Sequence, residues 1–245
     1  MRLGCITVLA GAFAISADVT IQYTGLSDIV VKNINIVGGA GDLGGSNYNG
    51  GVYTGLYNAK VVQTGEVWQT FCIDPIGEIS PNVPWNATLL TSADLTSGQG
   101  VLYNSAYGSS FDITQDKYGM IGYLADQYYY NTNPNFNTAA DRSDLSLAFW
   151  EIARDYTGSR ESMDLTGGNF QSSASQSDQD IITNLLNAAF DNKDKNYSLA
   201  VFSPTERPSQ EFLAFSVPEP AMFGMLLTGL FALGGLGILR RKKAM

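Results

Sequence analysis

The segments DVTIQY (18–23) and IVVKNINIV (29–37) alternate apolar with polar residues and are rich in β-branched side chains. A period of two residues is typical of a strand with one buried face. The segment KVVQTGEVWQTFCI (60–73) resumes the strand pattern, and the glycine-rich stretches 38–45 and 49–51 have the composition of turns or loops. The first third of the chain therefore predicts β-strands joined by loops.

The middle of the chain changes to helical spacing. The segments 116–129, 144–155 and 177–190 each carry apolar residues three or four positions apart, which lie on one face of a helix. Thr114 and Ser177 are the expected N-caps of the first and third helix. The apolar stripes are Tyr118, Ile121, Ala125 and Tyr128; Leu145, Ala148, Phe149 and Ile152; and Ile181, Leu185, Ala188 and Ala189.

Strand-like sequence returns at 197–202 and 210–217. Strands at both ends with helices between them predict an α+β fold: a β-sandwich or barrel-like ectodomain with a helical insertion, followed by a C-terminal transmembrane helix. The ectodomain, residues 18–216, is one domain long and sufficient to bury a core.

The C-terminal end of the chain has the composition of a membrane span. Nineteen uncharged residues, 221–239, are followed by Arg240, Arg241, Lys242 and Lys243. A helix of that length rises about 28 Å, close to the thickness of a bilayer's hydrocarbon core. Cations that flank a span stay on the cytoplasmic side, so we expect a single-pass inner-membrane precursor with a cytoplasmic C-terminus.

The N-terminal end predicts export. Arg2 is followed by an apolar run to Ile15 and by the small residues Ser16 and Ala17, and residues 1–17 together resemble a secretory signal peptide. The alternative is a first β-strand of the fold.

Charge and residue types exclude several classes of function. The chain carries 14 basic and 23 acidic residues; removing Arg2, the four tail cations and Glu219 leaves nine basic and 22 acidic residues in the ectodomain. Such an acidic domain is an improbable nucleic-acid partner. The chain has no histidine, which removes Ser-His-Asp and Cys-His systems and the common zinc geometries, so we predict no metal, no cofactor and no catalytic site.

Paired carboxylates leave one enzymatic alternative open, a secreted hydrolase. Asp141 and Asp144 form one pair, and Glu151 and Asp155 form another at the i, i+4 spacing of a helix. Two acids at that spacing more often mark a solvated helix face, which is the interpretation we adopt here.

The tail resembles a known sorting signal. Val217, Pro218, Glu219 and Pro220, followed by the apolar span and the basic stop, are similar in order and spacing to the PEP-CTERM signal of Gram-negative bacteria. That resemblance implies recognition by an exosortase, a membrane-embedded protease or transpeptidase, and an association with exopolysaccharide and biofilm. The protein would then reach the periplasm, the cell surface or the extracellular matrix.

The ectodomain resembles the thioester domains of bacterial surface adhesins. FCID (71–74) and LSLAFWEI (145–152) are similar to motifs whose strand cysteine bonds to a helix glutamine and captures amines on a target. Cys72 takes the place of the cysteine, but the glutamine position falls on Ser146, which has no carboxamide. The resemblance therefore implies the related fold with a degenerate site, in which the Cys72 and Ser146 side chains face each other.

Taken together, these features predict a non-enzymatic, membrane-tethered surface or matrix protein with a binding or structural role. The alternatives are a thioester-type covalent surface adhesin and the secreted hydrolase. For Cys72 and Trp150, the plainer interpretation is packing in the core.

Overall fold

The computed structural model describes residues 17–37, 47–75, 80–104, 107, 109–130, 137–206 and 209–215. The chain divides into two units, Met1–Phe215 and Ser216–Met245. Residues 1–16 of the predicted signal peptide, the motif 217–220, the span 221–239 and the basic stop 240–243 lie outside the described residues. Within the described ranges, no helix combines the length and apolar character that a membrane crossing requires.

Six antiparallel strands close into a barrel. Neighbours pair in the order β2-β3-β7-β6-β4-β1, and β1 pairs β2 again to close the ring. The short strand β5 adds to the distal half of β1, where Ile36 pairs with Phe170. The strands are β1 Ala17–Ile36, β2 Tyr48–Val61, β3 Val67–Cys72, β4 Pro84–Thr91, β5 Phe170–Ser172, β6 Ala200–Pro204 and β7 Phe212–Phe215.

Strands β1 and β2 form a long ribbon that extends beyond the ring. Their pairing continues from Ile21 opposite Val61 to Ile36 opposite Tyr48. The prediction of a turn at 49–51 was wrong, because Gly50 and Gly51 pair with β1 inside this ribbon. Inside the ring, four aromatic side chains contribute edge and stacking contacts at centroid distances of 5.6–5.9 Å; these are Tyr23, Tyr57, Phe212 and Trp85.

The helices form an insertion between β4 and β6, two strands that pair with each other. The described helices are α1 Ser92–Thr96, α2 Phe111–Leu124, α3 Ala139–Asp155 and α4 Gln176–Asn192, and α2 continues as a π-helical segment, Ala125–Tyr130. Two 3₁₀ turns lie at Val101–Tyr103 and Arg160–Ser162. A mixed α+β barrel with a helical insertion agrees with the sequence prediction at this level.

The helix starts differ from the predicted caps. Ser110, and not Thr114, is the N-cap of α2. Ser175, and not Ser177, caps α4 by accepting a hydrogen bond from the Asp178 amide. Thr138 begins α3 with a full capping box, in which its side chain and that of Asp141 satisfy each other's backbone amides.

Most residues of the predicted stripes face the core, but Tyr128 and Ala188 are half-buried and Ile181 is exposed. The α2 and α3 stripes are buried except for Tyr128, which is half-buried. On α4 the prediction for Ile181 was wrong: this side chain is exposed, and its neighbour Ile182 is buried instead.

Candidate functional site

Helix α3 lies against β2 and β3 and positions the candidate site. The hydroxyls of Thr54 on β2 and Ser143 on α3 are 2.7 Å apart, and Thr54 also donates to the carbonyl of Val30 on β1. Phe71 on β3 packs edge-on against Phe149 on α3, with ring centroids 5.6 Å apart. One face of this helix is thus fixed against the barrel by both polar and aromatic contacts.

Cys72 ends strand β3 and is a free, buried cysteine with 1% of its surface exposed. Its thiol donates to the carbonyl oxygen of Asp74 at 3.2 Å. Its own carbonyl oxygen accepts a 2.9 Å hydrogen bond from Nε1 of Trp150. Both Cys72 and Trp150 are packed in the core, as the plainer interpretation of each residue predicted.

Burial raises the pKa of the Cys72 thiol well above its ordinary value, and the nearby Asp74 carboxylate adds to this. Hydrogen bonds with the Asp74 backbone and the Trp150 side chain act in the opposite direction but are weaker. The thiolate is the nucleophilic form of cysteine, so the protonated Cys72 of this structure is a poor nucleophile.

Ser146, the other half of the predicted degenerate site, is equally buried. Its Oγ accepts a 2.9 Å hydrogen bond from the amide of Gly55 on β2 and donates one of 3.1 Å to the carbonyl of Arg142 on its own helix. The hydroxyl is therefore an acceptor for a buried amide of strand β2.

Cys72 and Ser146 both lie where α3 meets strands β2 and β3, and each has its own hydrogen-bond partners. Leu56 pairs with Phe71, so Gly55 and Cys72 are the next residues in that antiparallel register. Ser146 contacts Gly55, and Trp150, one turn further along α3, contacts Cys72. No hydrogen bond joins the Cys72 and Ser146 side chains within the part of the chain that the structure describes.

A buried acid network adjoins Cys72. The Glu211 carboxylate accepts hydrogen bonds of 2.9 Å from the amide of Val101 and from the hydroxyl of Tyr118, while its backbone carbonyl accepts from Ile73. Burial raises the pKa of Glu211 to about 7, against the lowering effect of these hydrogen bonds. Asp74, also buried, accepts a hydrogen bond from Tyr107.

The acids of α3 do not form the solvated face that their spacing suggested. Glu151, Asp155 and Asp144 are all buried, so the interpretation of Glu151 and Asp155 as surface acids was wrong. The Asp155 carboxylate accepts hydrogen bonds of 2.8 Å from the backbone amides of Asn169 and Phe170 and so positions the start of β5.

Glu151 and Asp144 are the acids whose pKa values are raised most clearly on this helix. Burial, followed by the charge of Asp155, raises the pKa of Glu151 to about 9. Burial and the charge of Asp178 raise that of Asp144 to about 7, although Lys32 lies 3.9 Å away and opposes the shift. A raised pKa by itself fits a general acid, but these carboxyls are enclosed by the core.

Sequence reasoning missed two parts of this arrangement. Glu211 is a lone acid before an apolar strand, and its pattern carries no sign of burial. Gly55 could have been found, because a glycine inside a strand often marks a close approach of another element. Within the described ranges, no group of three potential metal-ligating side chains occurs.

Comparison with known proteins yields one distant structural neighbour. No protein-family model matches the chain, and no curated protein matches it. The chain is similar to a solved structure, the N-terminal thioester domain of the fibronectin-binding protein SfbI from Streptococcus pyogenes, at 13% sequence identity and a TM-score of 0.37. That match covers 79% of this chain and 96% of the other.

Proposed function

We propose that the chain is an exported, membrane-tethered precursor whose ectodomain has a non-enzymatic binding or structural role at the cell surface or in the matrix. Its partners are the membrane, an exosortase and exopolysaccharide. The PEP-CTERM-like motif 217–220, the apolar span 221–239 and the cations 240–243 support this destination.

One observation carries the non-covalent part of this proposal. The Ser146 hydroxyl is held between the Gly55 amide and the Arg142 carbonyl, so the glutamine position is filled by a group that binds the barrel. The Cys72 thiol is buried, protonated and engaged with Asp74. A buried thiol with a raised pKa and a serine that is hydrogen-bonded to the barrel support a non-covalent role.

The buried acids support a binding role over hydrolysis. Glycoside hydrolysis needs two carboxylates that flank a substrate bond with access to water. Glu151 and Asp155 are both buried, and Asp155 accepts hydrogen bonds from the backbone amides of Asn169 and Phe170.

The destination is tested by following three versions of the chain in an exosortase-bearing Gram-negative host. We expect the full-length chain to enter the membrane fraction and then be processed. A version that lacks 217–245 should be released directly. A Pro218→Ala, Glu219→Ala, Pro220→Ala variant keeps the span and should accumulate unprocessed in the membrane. Unprocessed full-length protein in a membrane-free lysate would overturn the proposal.

The chemistry of the site is tested by intact mass and thiol titration of the purified protein, with Cys72→Ala as the matched control. We expect a mass without loss of ammonia, no methylamine adduct and no reaction of Cys72 until denaturant is added. In denaturant, wild type should titrate one thiol more than Cys72→Ala. A mass lower by one ammonia, together with methylamine uptake, would favour the covalent adhesin.

A further inference from the structure

A cavity of about 410 Å³ opens between α1, α2 and the segment 193–199 that leads from α4 into β6. We call it the α1/α2 cavity. Its size falls in the range of about 300–1,000 Å³ that is typical of small-molecule sites. It lies apart from Cys72 and Ser146, neither of which lines it.

The walls of the α1/α2 cavity are fixed by backbone contacts. Gly119 on α2 lies so close to the segment that a Cβ there would be 2.2 Å from the carbonyl oxygen of Lys193. On the opposite side, the Ser92 hydroxyl donates to the Tyr197 carbonyl at 2.8 Å and accepts from the Leu199 amide at 2.7 Å. The cavity is thus formed in the free domain, which lowers the entropic cost of binding.

The charges that line the cavity balance one another. Lys193 forms ion pairs with Asp116 at 2.8 Å and Asp194 at 3.3 Å, and Asp116 also accepts the Tyr156 hydroxyl. Lys195 adds a second cation at the rim. Two lysines against two aspartates make the lining neutral in a domain with a large acidic excess. An anion would meet the negative field of the domain, and a cation would compete with the lysines already in place.

The remaining lining combines planar polar groups with apolar surface. Gln115 and Asn196 line it with amide side chains, a group that carries both donors and acceptors, although Nε2 of Gln115 already donates one hydrogen bond of 2.7 Å to the Thr96 carbonyl. Leu95, Leu199 and Tyr197 are the larger apolar residues of the lining. The adjacent hydroxyls of a sugar both donate and accept hydrogen bonds, so they can pair with these amides and carboxylates. The C–H faces of the sugar ring can pack against the apolar side chains.

We infer that the α1/α2 cavity binds a short stretch of an uncharged polysaccharide. This inference rests on the proposed function, because a polysaccharide reaches the domain only outside the cell. The exopolysaccharide would then bind at the α1/α2 cavity, and its sugars would be uncharged.

Two variants test the site. Ala93→Trp places an indole in the cavity from an exposed position on α1, and Ala140→Trp places the same group on the exposed start of α3 as its control. Asn196→Ala removes one rim amide, and Asn49→Ala removes an exposed amide from the β1–β2 ribbon. All four positions are exposed or face open space, so we expect each variant to fold.

The probes are neutral β-1,4-linked hexasaccharides of glucose, mannose and xylose, with the hexasaccharide of galacturonic acid as the charged probe, measured by calorimetry. We expect wild type to bind at least one neutral probe more tightly than the charged one. Ala93→Trp should weaken that affinity about tenfold or more, and Asn196→Ala about five- to tenfold, while both controls match wild type.

Three results would overturn the inference. They are no binding of any neutral probe, preferential binding of the galacturonic acid probe, or undiminished binding by Ala93→Trp. None of them alters the membrane fractionation of the full-length chain, so a failure of this inference is distinguishable from a failure of the proposed destination.

Discussion

The Nε1 of Trp150 on α3 donates a 2.9 Å hydrogen bond to the carbonyl oxygen of Cys72, the last residue of β3. Both residues are buried, so water cannot replace this bond if it is lost. The bond therefore joins the inserted helices to the barrel at the point where the ladder between β2 and β3 ends.

We expect Trp150→Phe to lower the free energy of unfolding by about 2–4 kcal/mol. The substitution removes buried ring volume and leaves the Cys72 carbonyl without its donor. Denaturant unfolding followed by far-UV circular dichroism measures the change.

Trp68→Phe is the matched control for that prediction. Trp68 also packs edge-on against an aromatic ring, that of Phe202 at 5.5 Å, but its Nε1 has no hydrogen-bond partner among the described residues. Trp68→Phe should therefore lose packing contacts but no hydrogen bond, and should lower the free energy of unfolding by less than Trp150→Phe does. Equal losses for the two variants would show that the bond to Cys72 contributes nothing measurable.

Ser146→Ala should destabilise the domain by about 1–3 kcal/mol, because the buried Gly55 amide loses its acceptor. Ser143→Ala is the comparison, since it lies one turn earlier on the same buried face of α3. Its partner Thr54 keeps a hydrogen bond of 2.8 Å to the Val30 carbonyl, so we expect a smaller loss. Thermal and denaturant unfolding rank the two variants, and a larger effect at Ser143 would contradict the role we give to Ser146.

The parts of the fold that could be predicted are those whose pattern is local. The apolar stripes of α2 and α3 were identified because a 3.6-residue period is visible in any window of sequence. The caps at Ser110 and Ser175 were not predicted, because several nearby serine and threonine residues are equally good candidates in the sequence. The strand pairing of Gly50 and Gly51 is not predictable from local composition, because it depends on their contact with β1, which lies elsewhere in the sequence.

The candidate site was only partly predictable for the same reason. Cys72 and Ser146 could be named as one site through their motifs, but their individual partners depend on how α3 meets the β2–β3 ladder. The burial of Glu151 could not be predicted, because the sequence pattern of a helix does not show which distant part of the chain packs against its second face. The strand β4 was missed altogether, since it begins at Pro84 and alternates weakly.

Gly119→Ala should lower the free energy of unfolding even though alanine is the better helix former by about 1 kcal/mol. The new Cβ would approach the Lys193 backbone carbonyl to 2.2 Å, and a backbone group cannot move aside without shifting the wall of the α1/α2 cavity. Gly122→Ala is the matched comparison, because its Cβ would meet only side-chain atoms of Tyr197 and Leu199, at 2.9 Å and beyond. Denaturant unfolding should rank Gly119→Ala as the more damaging, and the reverse order would contradict the close backbone contact.

Glu151→Gln should stabilise the domain at neutral and alkaline pH. The pKa of Glu151 is raised from 4.5 to about 9 in the folded domain, chiefly by burial and then by Asp155. Between these two values the folded state keeps a proton that the unfolded chain has lost, so stability falls as pH rises from about 4.5 to about 9. At pH 7 this loss is of order 3 kcal/mol, and glutamine, which carries no titrating proton, should abolish it.

The measurement is the free energy of unfolding of wild type and Glu151→Gln from pH 4 to pH 9. We expect the two curves to lie close together near pH 4 and to separate progressively above it, with the variant more stable. Glu161→Gln, at an exposed position just beyond α3, removes the same charge from the chain and should follow the wild-type slope. Parallel curves for wild type and Glu151→Gln would mean that Glu151 titrates alike in the folded and unfolded states, and its burial in the folded domain would then be wrong.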